Sequence, residues 1–154
     1  MMNLDKTDKK ILMQLQQDAT KSLAFMAKKL ALSKTALWNR IQRLQDDKVI
    51  LKQAALLDPQ KVGINETFFV IIKTSSHDDD WLSSFAKAIN DMPEIMEAHR
   101  LAGDMDYILK VQVSTTKSYD EFYKQLISRV SMSSVSACLS METLKYSTQF
   151  ELNK

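Results

Sequence analysis

The sequence is poor in the residues that build disulfide scaffolds, metal centres and membrane spans. Cys138 is the single cysteine among 154 residues. That excludes an internal disulfide and a thiolate zinc site, and leaves the thiol as a small apolar side chain with no redox task. The two histidines, His77 and His99, are far apart and lack a neighbouring cysteine or a spaced carboxylate, so neither a metal site nor a cofactor is expected. There is no glycine-rich phosphate loop; the chain has two glycines in all. No stretch approaches the roughly 20 apolar residues needed to cross a bilayer, and the opening MMNLDKTDKK carries charge where a signal peptide has an apolar run. A cytoplasmic protein without a membrane partner is expected. Solenoid repeats and low-complexity tracts are also missing.

What is present is an ordinary globular composition, 45% hydrophobic and 26% charged, with its charge unevenly placed. Residues 1–57 hold 11 Lys or Arg against 5 Asp or Glu, a balance of +6, whereas residues 58–154 hold 10 against 14, a balance of −4. A basic half of this kind suits a polyanion, and the second half has another task. The break falls in LLDPQKVGIN, where Asp58-Pro59 and Gly63 punctuate the chain. The expected domains are therefore 1–57, a linker at 58–66, and 67–154.

In the first domain, Asp5 with Asp8 three residues on is close to a capping box, and Ile11, Leu12 and Leu15 make an apolar stripe behind it. Ser22 can cap a short second helix whose Leu23, Met26, Ala27 and Leu30 share a face. Ser33 can cap a third after a very short turn. This is helix-turn-helix spacing. In the third helix, Leu37, Ile41 and Leu44 form the core face; Thr35, Asn39 and Gln42 lie opposite; Lys34, Trp38, Arg40 and Arg43 flank the two. A recognition helix needs short polar side chains that reach base edges and cations that hold phosphates on either side of the major groove. Thr35, Trp38, Asn39 and Gln42 fit the first role, and Lys34, Arg40 and Arg43 the second, on double-stranded DNA.

The second domain reads as β-α-β-β-α-β. TFFVIIKT (67–74) is an almost continuous apolar strand. DDDWLSSFAKAIND follows as an amphipathic helix, with Leu82, Phe85, Ala86 and Ile89 at helical spacing and aspartates at its positive end, and Pro93 stops it. IMEAHRL and YILKVQV flank the turn AGDMD, SYDE is expected to cap a helix running to Val130, and VSACLSMETL supplies the last strand. The fold expected is α+β: a winged/helix-turn-helix three-helix domain followed by a ferredoxin-like βαββαβ domain. Such a sheet leaves one face without helices of its own, and either Phe68, Val70 and Ile72 or their alternates require a second subunit as cover. Gly103 in LAGDMDY calls for a positive φ, which would let the backbone meet a carboxylate.

Four stretches, LDKTDKKIL (4–12), LSKTALWNRIQRLQDDKVI (32–50), LDPQKVG (57–63) and LAGDMDYILKV (101–111), stand in the order and spacing of the Lrp/AsnC, or feast/famine, transcription regulators, which the chain resembles nearly from end to end. The family usually has glycine where this chain has Ala31 and Lys48, and a Pro-Gly-like pair where it has Ser133-Ser134. The resemblance implies a sequence-specific DNA-binding regulator, a homodimer assembling into higher oligomers such as an octamer. It also implies a small-molecule effector, an amino acid, held in a cleft between dimers lined by the 103–106 loop. Gly103, Asp104, Met105 and Asp106 are then the effector residues, joined by Ser134, Ser136 and Ser140 from the last strand region. Two other readings share this architecture: a siroheme decarboxylase-like enzyme, for which His99-Arg100 lies in a comparable region, and an effector-independent architectural DNA-binding protein. The intact GDMDY turn resembles the regulator version, and Asp104 and Asp106 on a hairpin ordinarily cap turns rather than pair as acid and base, so no catalytic residue is expected.

Overall fold

The computed structural model describes residues 4–74, 76 and 78–152; His77 lies outside them. The chain forms two compact units, one of residues 1–56 together with 145–154 and one of residues 57–144. The first unit holds α1 (Lys6–Gln17), α2 (Leu23–Lys29) and α3 (Lys34–Asp46). Each helix starts on the cap its sequence announces. Asp5 and Asp8 form a reciprocal capping box, Ser22 Oγ accepts from the Phe25 amide and Ser33 Oγ from the Ala36 amide. The core joins Ile11 and Leu12 of α1, Met26 and Ala27 of α2, and Leu37, Ile41 and Leu44 of α3. No strand follows α3 before residue 66 among the described residues, so the winged variant is not formed.

Both helix ends that lack the family's glycine keep the glycine conformation. Ala31 has φ 54° and Lys48 has φ 58°. Around them, the Leu32 amide donates to Ala27 O at 2.9 Å and the Val49 amide to Leu44 O at 2.9 Å, each closing a left-handed helix terminus.

Residues 145–152, expected in the second domain, lie instead with the first unit. The Phe150 amide donates to Gln16 Oε1 at 2.6 Å, Gln16 Nε2 donates to Phe150 O at 3.2 Å, and Leu152 packs against the three-helix core. One glutamine amide thus satisfies both backbone groups of a residue that has no strand partner.

In the second unit the stretch expected as a linker is folded: Pro59 leads a 3-10 turn, Gln60–Val62, closed by Gly63 at φ 81°. The domain proper runs β1 (Glu66–Lys73), α4 (Asp79–Asp91), β2 (Ile95–Arg100), β3 (Tyr107–Val113), α5 (Thr116–Arg129) and β4 (Ser134–Leu139). The strand order β2-β3-β1-β4, antiparallel throughout, is the ferredoxin-like sheet. Alternation along β1 and β3 decides the faces. Phe68, Val70, Ile72, Tyr107, Leu109, Val111 and Val113 are buried with Phe85, Phe122 and Leu126 from the helices.

Two helix expectations shift. The buried stripe of α4 is Trp81, Phe85, Ala88 and, just beyond it, Met92; Ala86 is exposed and Leu82 and Ile89 only border the core. Trp81 takes that place because its ring stacks on Phe85 while its Nε1 donates to Ser131 O at 2.6 Å, so a large side chain is buried with its polar atom satisfied. Helix α5 begins earlier than SYDE: Thr115, not Ser118, is the cap, and its hydroxyl accepts from the Ser118 amide.

Candidate DNA-reading and effector surfaces

The capping box of α1 does more than start a helix. Asp8 is 1% exposed, and its two oxygens accept from Arg40 Nη1 at 2.7 Å and Arg43 Nη2 at 2.6 Å; Arg40 Nη1 also reaches Asp5 Oδ2 at 2.7 Å. A buried carboxylate facing two guanidinium groups clasps α1 to one flank of α3. The clasp holds Asp5 below the ordinary carboxylate range, through the Asp8 amide and then Arg40, and raises Arg40 through Asp5 and Asp8. The phosphate role expected for Arg40 and Arg43 therefore meets a structural one, which sequence reasoning missed. Its signal was present, in that Asp5, Asp8, Arg40 and Arg43 are charges flanking two core stripes, but nothing in one helix says which flank another helix will cover.

The opposite flank of α3 is open. Lys34, Thr35, Trp38 and Asn39 are exposed, with Trp38 at 52%. Gln42 is half-buried, its Nε2 donating to Gln45 Oε1 at 3.0 Å. So the fold brings Thr35, Asn39 and Gln42 together on one outward strip bordered by Lys34 and Trp38 on one side and by the clasped arginines on the other. On α2, Phe25 is equally exposed, with Lys21 Nζ 5.7 Å above its ring; it falls off the apolar stripe of its helix, which is the signal that it points outward.

In the second unit, the 101–106 turn is closed by the Leu101 amide donating to Asp106 O at 2.8 Å, and Gly103 has φ 147°, a conformation that only glycine adopts freely. Asp104 and Met105 are exposed. Asp106 is a structural pin: its amide donates to Ile72 O at 3.1 Å and its Oδ2 accepts from the Thr74 amide at 2.8 Å, fixing the turn to the end of β1. The Asp106 carboxylate thus has a structural partner in the Thr74 amide in addition to the effector role expected of it. Ser134, paired with Lys73, and Ser136, paired with Ile71, start β4 at the same end of the sheet as this turn. Ser140 lies at the other end, about 20 Å along the strand, where its amide donates to Thr67 O and its hydroxyl to Glu142 O. Within one chain, then, Ser134 and Ser136 approach the turn and Ser140 does not.

The sheet face without helices carries Thr67, Phe69, Ile71, Ile108, Lys110 and Gln112 from the two central strands, and Ser136 and Cys138 from β4. Phe69 is 37% exposed. Lys110 Nζ donates to Glu97 Oε1 at 2.8 Å, and His99 Nε2 lies 3.4 Å from Glu97 Oε2. Lys110 first, and His99 after it, hold Glu97 below the ordinary glutamate range. His99 thus stands beside an exposed Lys110–Glu97 ion pair on an open face. Among the described residues no three His, Cys, Asp or Glu side chains cluster as a metal site, and no helix is long and apolar enough to cross a membrane.

Comparison with known proteins covers most of the chain. Residues 4–45 match the AsnC-type helix-turn-helix domain, and residues 67–150 match the Lrp/AsnC ligand binding domain. The Glutamate uptake regulatory protein of Zymomonas mobilis is 50% identical over 145 residues, 94% of this chain and 88% of that one. The DNA-binding transcriptional activator DecR of Escherichia coli is 43% identical over 150 residues, 97% of this chain and 99% of that one. Among solved structures, an AsnC family transcriptional regulator from Agrobacterium tumefaciens superposes with a TM-score of 0.91 at 44% identity, covering 96% of both chains. A transcriptional regulator from Neisseria meningitidis solved as its L-Met complex superposes with a TM-score of 0.92 at 26% identity, covering 98% of both.

Proposed function

The chain belongs to the Lrp/AsnC family of transcription regulators, as a DNA-binding protein that responds to a small molecule, and from that premise we propose which surfaces carry each task. The strip Thr35, Trp38, Asn39 and Gln42 reads bases, and Lys34 holds phosphate. Arg43, 47% exposed beyond its bond to Asp8, turns its remaining N–H groups to phosphate. Arg40 is a positioning residue that sets the angle between α1 and α3. The single observation behind this assignment is the clasp on Asp8, which leaves one polar face of a capped basic helix pointing outward and fixes its orientation.

The effector is a free amino acid. The 103–106 turn supports this reading, since it offers a glycine backbone able to approach a carboxylate, and beside it the exposed Asp104 carboxylate for an ammonium group. Met105, and Ser134 and Ser136 from β4, add contacts, and Ser140 takes part only if a second subunit brings it to the turn. The open sheet face is closed by a second copy of the chain, which sets two recognition helices against half-sites about 34 Å apart, and dimers assemble further. With DNA as its target the protein works in the cytoplasm, as a regulator and not an enzyme.

Calorimetry with each of the twenty amino acids on wild type and Asp104→Ala, paired with duplex binding in the presence and absence of the one that binds, tests the effector assignment. Binding abolished or weakened at least ten-fold by the substitution is expected. No heat from any amino acid, or identical binding by the variant, removes the turn from the account and leaves the DNA surface standing.

A further inference from the structure

We propose that Trp38 sets a preference for thymine by covering its C5-methyl group in the major groove, an inference that rests on the DNA-reading surface above and gives one residue on it a distinct task. The chain has two tryptophans, and the fold treats them in opposite ways. Trp81 is buried, stacked on Phe85 and hydrogen-bonded through Nε1. Trp38 is 52% exposed, is absent from the half-buried shell around the three-helix core, and has no hydrogen bond, ring or cation partner among the described residues. Phe25, just as exposed, at least carries the Lys21 ammonium over its ring. The indole of Trp38 is thus the largest apolar surface on α3 that folding leaves without use.

Its position says what would cover it. Trp38 stands one turn from Lys34 and one turn from Gln42 on the helix, three residues after Thr35 and next to Asn39, so it borders the polar strip on the flank that α1 does not clasp. Side chains on that strip meet base edges, and the apolar group that the major groove presents at ordinary bases is the thymine methyl. A flat ring placed there gains from burial of a methyl group without needing a hydrogen bond, while Thr35, Asn39 and Gln42 supply the donors and acceptors. The indole Nε1–H could instead donate to a phosphate oxygen, but that contact would not distinguish thymine from deoxyuridine.

The test begins with selection of duplexes from a random pool by the full-length protein, followed by replacement of each thymine in the selected site by deoxyuridine, which removes the methyl and nothing else. At one thymine per half-site the wild type is expected to lose about four-fold in affinity. Trp38→Ala is expected to bind thymine and deoxyuridine there equally, and Trp38→Phe to keep part of the difference. Iodide quenching of Trp38 emission, read in a Trp81→Phe background, should fall when the duplex binds. If every deoxyuridine substitution leaves wild-type affinity unchanged, or Trp38→Ala keeps the full thymine preference, the inference is overturned with the DNA surface intact. If no duplex binds with a salt-dependent affinity, the DNA-reading surface itself fails and the inference with it.

Discussion

Replacing Ala31 and Lys48 by glycine should make the first unit more stable, although it removes atoms and adds none. Both residues sit at the left-handed position after a helix, at φ 54° and φ 58°, and the hydrogen bonds that depend on this conformation are made: Ala31 N–H to Lys28 O at 3.3 Å, Lys48 N–H to Gln45 O at 3.0 Å, and the two longer closures to Ala27 and Leu44. A residue with a Cβ is disfavoured in that region by roughly 1–2 kcal/mol relative to its ordinary conformations. Glycine removes that penalty but loses more backbone freedom on folding, about 0.4–1 kcal/mol. Each side chain is exposed, so little packing is forfeited. The balance favours glycine by about 0.5–1 kcal/mol at each site. The two sites end different helices, so the double variant should gain about 1–2 kcal/mol. For a unit of this size the gain raises the melting temperature by roughly 4–8 °C per kcal/mol. Far-UV circular dichroism through a guanidinium titration measures it in the full chain, with amide exchange in α3 reporting the first unit alone. Glycine variants that melt at or below the wild-type midpoint would refute the strain argument.

Asp8→Ala should destabilise the first unit by about 2–3 kcal/mol, because it takes the buried carboxylate from Arg43, leaves Arg40 with Asp5 alone and removes half of the α1 capping box; both arginines are partly exposed, which keeps the cost below that of a fully buried pair, and an unchanged denaturation midpoint would argue against the clasp. Phe69→Asp should convert an oligomer to monomers that remain folded, whereas Val70→Asp, at a position 0% exposed, should prevent folding; sedimentation and circular dichroism separate the two, and an oligomer undisturbed by Phe69→Asp would mean that the open sheet face is not the interface. Tyr107→Phe should be neutral or stabilising by up to about 1 kcal/mol, since the buried Tyr107 hydroxyl has no hydrogen-bond partner among the described residues; a loss above 1 kcal/mol in the same titration would show that the hydroxyl has a partner. Acid should weaken the protein through Asp5, Asp78 and Glu97, whose pKa values are depressed in the folded state. A depressed carboxylate stabilises the fold above its unfolded pKa and ceases to do so as pH falls through the folded value, so stability should be flat from neutrality down to the ordinary carboxylate range and decline below it. A decline that begins near neutrality would point to other groups.

Local signals were enough for the elements and for the order in which they occur. Ser22, Ser33 and Asp5 announce three helix starts because a cap is a contact between residues three apart, and the stripes of Ile11, Met26 and Leu37 announce their core faces because helical periodicity is a property of one segment. The alternation in YILKVQV fixed which side of β3 is buried for the same reason, and the rarity of glycine singled out Gly103 as a backbone that must turn. Tertiary structure decided whatever depends on a second segment arriving. It chose which flank of α3 α1 would cover, and so made Arg40 and Arg43 partners of Asp8 as well as candidates for phosphate, leaving Lys34 and Trp38 on the uncovered flank. It chose Phe69 over Val70 as the residue facing away from the helices, which a strand apolar on both sides does not reveal. It tied Asp106 to Thr74 across 32 residues, parted Ser140 from Ser134 by the length of β4, and returned residues 145–152 to the first unit through the side-chain amide of Gln16. Hydrogen bonds and ion pairs between distant residues leave no period in a sequence, because the chain between them can take any path that closes the contact.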